Sequence, residues 1–308
     1  MTDALVLRDV VKRYGRRGRK ALDGLTFRVP RGAIAGLVGP NGAGKTTCFA
    51  AAAGFVGVDG GVVDVLGGGP FDAARLAGRL GVLPQDAELP LRHTPRELLT
   101  HLGMLQGMTG REARTEADRV LAVVRLTDRA RHRIASLSHG MRRRVAVATA
   151  LLGDPELVLL DEPTAGLDPV EAHALRAALS TIRGERTLVV SSHQLDELER
   201  LCDWIVMMQD GRCTREGPLA EVTGRGVFVR WTLSPGEVPL AGLAARLPGH
   251  RLALRDDGLD QEAPPGADLD EASRIVVQEL LAAGIAVREV RRGQSLERRF
   301  VEGAAGAA

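Results

Sequence analysis

The sequence predicts an α/β protein on a mainly parallel core sheet. Three observations carry that expectation. Apolar runs of strand length, at 34–38, 80–83, 157–160 and 187–190, are separated by stretches of helical texture. The run Ile34 to Val38 leads into Gly39-Pro40-Asn41-Gly42-Ala43-Gly44-Lys45-Thr46-Thr47 and then into the small apolar stretch Cys48 to Ala53, a strand, turn and helix in succession. The run Leu157 to Leu160 ends in the carboxylate pair Asp161-Glu162, at the strand edge where α/β folds bind ligands.

Taken in order, residues 4–11 alternate in part and read as a first strand, with Leu22 to Val29 as the return strand. Arg16, Arg17, Arg19 and Lys20 between them read as a solvated turn rather than a nucleic-acid patch. Val62 to Leu66 and Leu80 to Leu83 follow as strands. From about Thr94 to Ala150 apolar residues recur at helical spacing (Leu98, Leu99, Leu102, Leu105, then Val120, Leu121, Val124), which predicts a helical block between strands. Strand texture returns at Leu157 to Leu160 and Thr187 to Val190. Beyond Glu221 the character changes: Val227 to Leu233 reads as a strand, 256–269 as an acidic Gly/Pro loop, Glu271 to Ala282 as a helix and Ala286 to Val290 as a strand. Ser295 to Val301 reads as a short closing helix and Gly303 to Ala308 as a disordered tail.

Composition bounds the function. A length of 308 residues fits two domains, and 44% apolar with 26% charged residues is an ordinary soluble composition. A net charge of +2 makes no general case for nucleic acid or an anionic membrane. Lysine occurs only at positions 12, 20 and 45, so Lys45 stands out in an arginine-dominated chain. Cys48, Cys202 and Cys213 match no zinc spacing, and their odd number argues against a disulfide framework, so a reduced cytosolic setting is expected. Neither a signal peptide nor an apolar run long enough to span a bilayer is legible, so action on membranes would need a partner.

The glycine turn fits the phosphate-loop pattern in full. Its glycines let backbone N–H groups approach phosphate, and the helix start favours negative charge. Lys45 is placed to reach the β- and γ-phosphates of a nucleotide, and the Thr46 hydroxyl to ligate Mg²⁺. Asp161 suits the same cation and Glu162 suits a general base acting on water. A helix cap is the bland alternative for these two acids.

With these motifs in this order, residues 4 to 220 resemble the ATP-binding subunit of an ABC transporter. The resemblance implies a P-loop ABC-type ATPase with an N-terminal antiparallel β-subdomain and an inserted helical subdomain at about 90–150, together spanning 1–221. A small C-terminal α+β domain at 222–302 would follow. It implies ATP and Mg²⁺ as cofactors, with Gly39 to Thr47 on the phosphates. Tyr14 would stack on adenine, or be a plain strand-end tyrosine. Gln85 would contact Mg²⁺ and relay to membrane subunits. Leu137-Ser138-His139-Gly140-Met141 is similar to the family signature. Its Ser138 and Gly140 would grip the γ-phosphate bound to a second protomer, while His139 and Met141 depart from the pattern. Met141 offers none of the hydrogen bonds of the usual glutamine. Arg142, Arg143 and Arg144 are expected to be solvated or paired with acids. Asp168 would link protomers, and His193 would touch the γ-phosphate and orient water, so Lys45, Glu162 and His193 form the catalytic set.

The expected partners are ATP, a second copy enclosing two nucleotides, and a separate permease at the cytoplasmic face of the membrane, with no nucleic acid. The signature variant and Ser295-Leu296-Glu297-Arg298-Arg299-Phe300 resemble exporter-type cassettes for drugs, antibiotics or lipids, with other exporters and importers left open. Two alternatives stand beside this reading. A soluble ABC-type ATPase acting on nucleic acid or ribosomes usually shows a coiled-coil insertion, zinc cysteines or two cassettes. A low-turnover ATP-dependent switch is opposed by the intact Glu162 and His193.

Overall fold

The computed structural model describes residues 3–15, 18–224, 227–264 and 266–293. The closing helix at Ser295 to Val301, the exporter-like run within it, the 303–308 tail, and Arg16 and Arg17 lie outside the described residues. The chain divides into two compact units, Met1–Gly217 and Pro218–Ala308.

In the first unit, β1 (Asp3–Arg13) and β2 (Lys20–Pro30) form an antiparallel pair in which Leu5 faces Val29 and Leu7 faces Phe27. The five residues of β3 (Ile34–Val38) are all buried, and α1 (Lys45–Ala52) starts directly after the glycine turn. β4 (Gly60–Val65) then pairs antiparallel with the other edge of β1, completing a sheet of order β2-β1-β4. A single turn, α2 (Ala73–Leu76), precedes β5 (Leu80–Leu83).

The helical block comprises α3 (Pro95–Leu105), α4 (Gly110–Val123) and α5 (His139–Ala150). Both α3 and α4 open with reciprocal caps, Thr94 with Glu97 and Thr109 with Glu112, which satisfy N–H groups that have no partner inside the helix. The chain then alternates: β6 (Leu157–Leu160), α6 (Pro169–Ser180), β7 (Thr187–Ser191), α7 (Leu195–Leu201) and β8 (Trp204–Gln209). A two-residue turn, Asp210-Gly211, has positive φ at both positions and folds β9 (Arg212–Pro218) back beside β8.

The second sheet has the order β5-β6-β7-β3-β8-β9, and the pairs β5·β6, β6·β7, β7·β3 and β3·β8 are parallel. This order positions the site. The carboxyl ends of β5, β6, β7 and β3 stand in a row about 4.8 Å apart, and each carries one of the sequence motifs. One apolar core joins both sheets to α1, with Leu5, Phe27, Leu37, Phe49, Val65 and Leu159 among its members.

The second unit runs α8 (Leu219–Val222), β10 (Phe228–Leu233), α9 (Leu240–Arg246), β11 (Arg251–Arg255), β12 (Gly258–Glu262), α10 (Leu269–Ala282) and β13 (Val287–Arg292). Its antiparallel sheet has the order β11-β12-β10-β13, and its own core gathers Val229, Trp231, Leu243, Leu259, Val276 and Leu280. The loop expected at 256–269 contains β12, which is a correction. That strand was hidden because its buried residues include Asp260 and Gln261. Asp260 is held by Arg230 and Arg255, and Gln261 accepts the Trp231 ring N–H at 3.1 Å. Polar residues partnered in this way are tolerated in a core but erase the apolar signature of a strand.

Candidate active site

The phosphate loop leaves β3 at Gly39, where a Cβ would sit 2.4 Å from the Met208 carbonyl oxygen. At Gly44 a Cβ would lie 2.5 Å from the Ala21 carbonyl oxygen, and the backbone there has φ 102, so this position demands glycine. Lys45 opens α1, and its Nζ folds over the loop to donate to the carbonyls of Gly39 at 2.7 Å and Pro40 at 3.2 Å. Burial holds the Lys45 ammonium below its ordinary pKa, while the charges of Glu162 and then Asp161 oppose the shift. It is a desolvated cation aimed at a ring of backbone groups.

The second wall comes from β6 and β7. Asp161 and Glu162 are 2% and 8% exposed, which is rare for carboxylates without partners. Ser191, fully buried at the end of β7, partners the Asp161 carboxylate and the Glu162 backbone. Its hydroxyl accepts the Glu162 N–H at 2.8 Å and donates to Asp161 Oδ1. Glu162 has φ 51, an unusual backbone state for a residue with a side chain. That turn sends its carboxylate to His193, with Nδ1 2.8 Å from Oε2. The His193 ring is otherwise largely open to solvent.

Between these walls lies a cavity of about 430 Å³. Asn41, Gly42, Gly44, Lys45, Thr46 and Thr47 line it from the loop, with Gln85, Asp161 and Glu162 opposite. Thr46, Gln85 and Asp161 bring a hydroxyl, an amide oxygen and a carboxylate, hard oxygen donors of the kind Mg²⁺ takes with phosphate and water. Among the described residues no group of three or more His, Cys, Asp and Glu could hold a metal without such help. Size alone does not mark a site here: a larger depression of about 990 Å³ in the second unit is lined by 232–242 and the β11–β12 turn and holds none of the motifs.

Eight predicted residues stand outside the cavity lining: Gly39, Pro40 and Ala43 in the loop itself, His193 against Glu162, and Tyr14, Ser138, Gly140 and Asp168 elsewhere. Tyr14 follows β1, 51% exposed, with Lys12 Nζ 5.7 Å from its ring centre. Ser138 caps α5 by accepting the Met141 N–H at 3.1 Å. Its hydroxyl donates to Glu171 at 3.0 Å, and Gly140 lies so close to that carboxylate that a Cβ there would collide with it at 1.8 Å. Asp168 caps α6 through the N–H groups of Val170 and Glu171, both at 2.9 Å.

Two residues were missed. Glu171 is one. The other is Arg143, expected to be solvated or paired with an acid. Its guanidinium instead donates to the carbonyls of Gln85, Asp161, Glu162 and Pro163. The signal was available: on α5, Arg143 shares a face with the buried Gly140, Ala146 and Val147, three or four residues away.

Fold and site together define a nucleotide-hydrolysing ATPase of the phosphate-loop class. Residues 22–165 match the ABC transporter family. The chain is 38% identical over 221 residues to the Nod factor export ATP-binding protein I of Paraburkholderia xenovorans (strain LB400), covering 70% of this chain and 72% of that protein. It is 39% identical over 217 residues to the protein of the same name from Rhizobium johnstonii, covering 70% and 69%. Among solved structures it resembles the dimeric post-hydrolysis state of the ATP-binding cassette MJ0796 bound to ADP and Pi (TM-score 0.63, 26% identity, covering 70% of this chain and 98% of that one). It also resembles cbiO1 of Clostridium perfringens, part of the transporter complex cbiONQ (TM-score 0.66, 26% identity, covering 73% and 92%). The chain belongs to the ABC transporter family and is an ATP-binding, ATP-hydrolysing subunit of it.

Proposed function

We propose that this subunit closes with a second copy around two ATP molecules and powers export of a drug-, antibiotic- or lipid-like substrate through a separate permease on the cytoplasmic face of a membrane. The observation that carries the catalytic part is the Glu162–His193 contact, with Glu162 lining the cavity beside the phosphate loop. Export is supported by the Nod factor export relatives. A separate permease is supported by the lack, among the described residues, of any helix long and apolar enough to cross a bilayer.

In this reading Lys45 exchanges the Gly39 and Pro40 carbonyls for phosphate oxygens, and the loop N–H groups bind the rest of the anion. Thr46, Gln85 and Asp161 would hold Mg²⁺, which would neutralise phosphate charge when bound. Glu162 takes the proton of the attacking water. His193 fixes the Glu162 carboxylate through Nδ1–H. Tyr14 supplies a π-face for adenine. Ser138 and Gly140, which do not line the cavity of their own chain, serve the partner's γ-phosphate in this reading, with Asp168 on the same interface.

The test is ATPase rate against protein concentration, with Lys45→Ala and Glu162→Gln as controls. The rate rises faster than concentration and is lost in both variants, and Glu162→Gln forms a stable dimer only with ATP. Retained hydrolysis in Glu162→Gln, without an ATP-dependent dimer, overturns the reading.

A further inference from the structure

We infer that Arg143 is a positioning residue for Glu162: it clamps the turn that carries the general base and ties that turn to the Gln85 loop. The inference rests on Glu162 acting as the base.

The turn after β6 needs such a clamp. Glu162 has positive φ and precedes Pro163, a combination that the chain does not favour locally. A conformation of this kind persists only where its surroundings hold it. On one side Ser191 accepts the Glu162 N–H at 2.8 Å. On the other, three consecutive carbonyls converge on one guanidinium. Nη2 donates to Asp161 at 2.9 Å and to Glu162 at 2.7 Å, and Nε donates to Pro163 at 3.2 Å. Nη1 reaches the Gln85 carbonyl at 3.2 Å, on the loop after the neighbouring strand β5. The planar fork of arginine, with five N–H donors, suits four acceptors in two loops; the three donors of lysine do not.

The Glu162 peptide is therefore held at its N–H by Ser191 and at its carbonyl by Arg143, and the side chain between them reaches His193. Arg143 touches neither nucleotide nor water in this account. It acts on the angle at which the Glu162 carboxylate meets the cavity. It also lies on α5, the helix that Ser138 caps, so the same helix carries the group offered to the partner's nucleotide and the clamp on the base of its own site.

The experiment measures kcat and KM for ATP in Arg143→Ala and Arg143→Lys, on the full chain above the concentration where its rate per chain saturates, with Glu162→Gln alongside. Arg143→Ala lowers kcat about 10- to 100-fold, the scale of a misplaced catalytic group. KM for ATP stays within about twofold, because the phosphate loop is untouched. Arg143→Lys gives an intermediate rate, and guanidinium ion at non-denaturing concentration partly restores Arg143→Ala but not Glu162→Gln. Circular dichroism normalises each rate to folded protein; should Arg143→Ala fail to fold, Arg143→Lys carries the same kcat-against-KM comparison.

Unchanged kcat in Arg143→Ala while Glu162→Gln is inactive overturns the clamp and leaves the base in place. A rise in KM at constant kcat, or a loss that merely follows the unfolded fraction, also overturns it. Full hydrolysis in Glu162→Gln removes the base assignment itself.

Discussion

Ser191→Ala tests the other half of the Glu162 support. The hydroxyl serves two groups at once, accepting the Glu162 N–H at 2.8 Å and donating to Asp161. All three residues are buried, with Ser191 at 0% exposure. Alanine leaves an N–H without an acceptor, at a cost of about 1–3 kcal/mol, and takes one hydrogen bond from a charged carboxylate, worth about 1.5–3 kcal/mol. The two losses share one site and do not add fully, so about 3 kcal/mol is expected. At about 2–4 °C per kcal/mol for a unit of this size, Tm falls by about 6–12 °C. The assay is thermal unfolding followed by circular dichroism, repeated in urea to read the free energy. Ser192→Ala is the control: among the described residues its hydroxyl accepts only a local Gln194 N–H, so its Tm shift is expected to be less than half as large. A Ser191→Ala shift below about 2 °C, or one equal to the control, refutes the reasoning, because the Glu162 N–H would then have found another acceptor.

Three further outcomes are expected. Glu156 is held below its ordinary pKa chiefly by a hydrogen bond from Arg79 and then by Arg31. Its contribution is complete above the unfolded glutamate pKa and is lost as pH falls through the folded value, so the urea-stability gap between wild type and Glu156→Gln closes toward acid. Cys48 is fully buried and burial pushes its thiol pKa up, while Cys213 is pushed up to about 12. Alkylation at neutral pH followed by mass spectrometry should therefore show both essentially unmodified until the chain is unfolded. Glu171 holds Ser138 with its carboxylate beside Gly140. Glu171→Gln removes that charge, worth about 1 kcal/mol against a phosphate even in bulk water, so the ATP concentration at half-maximal dimerisation, measured by light scattering, falls about fivefold.

Much of the site was legible because its contacts are made by contiguous chain. A phosphate loop works through successive backbone N–H groups, so its glycines and Lys45 stand together in sequence and again around the cavity. Strands β3, β6 and β7 are short apolar runs buried from both faces, and β5 is a short run that is only partly buried; all four read directly. The edge strand β9 reads poorly. It carries Arg212, Thr214, Arg215 and Glu216 on a largely exposed edge and has no apolar pattern to betray it. The Arg143 error was of another kind, since its acceptors are carbonyls and no side-chain pairing rule points to them.

The sequence by itself pointed to the groups proposed to carry the chemistry: Lys45 and Thr46 on the loop, Asp161 and Glu162 after a buried strand, His193 after the next. The loop and the carboxylate pair follow from local spacing, on which strand, turn and helix geometry depend; His193 follows from the family resemblance. Tertiary structure alone decided how they meet. The sheet order β5-β6-β7-β3 sets four loops from distant parts of the chain side by side. That row brings His193 against Glu162, Ser191 between the Asp161 carboxylate and the Glu162 N–H, and Arg143 against two loops at once. The physical reason is that hydrogen bonds between strands, not nearness in sequence, choose neighbours in a sheet. A carbonyl left open by a strained turn is closed by whichever donor the packed helix presents.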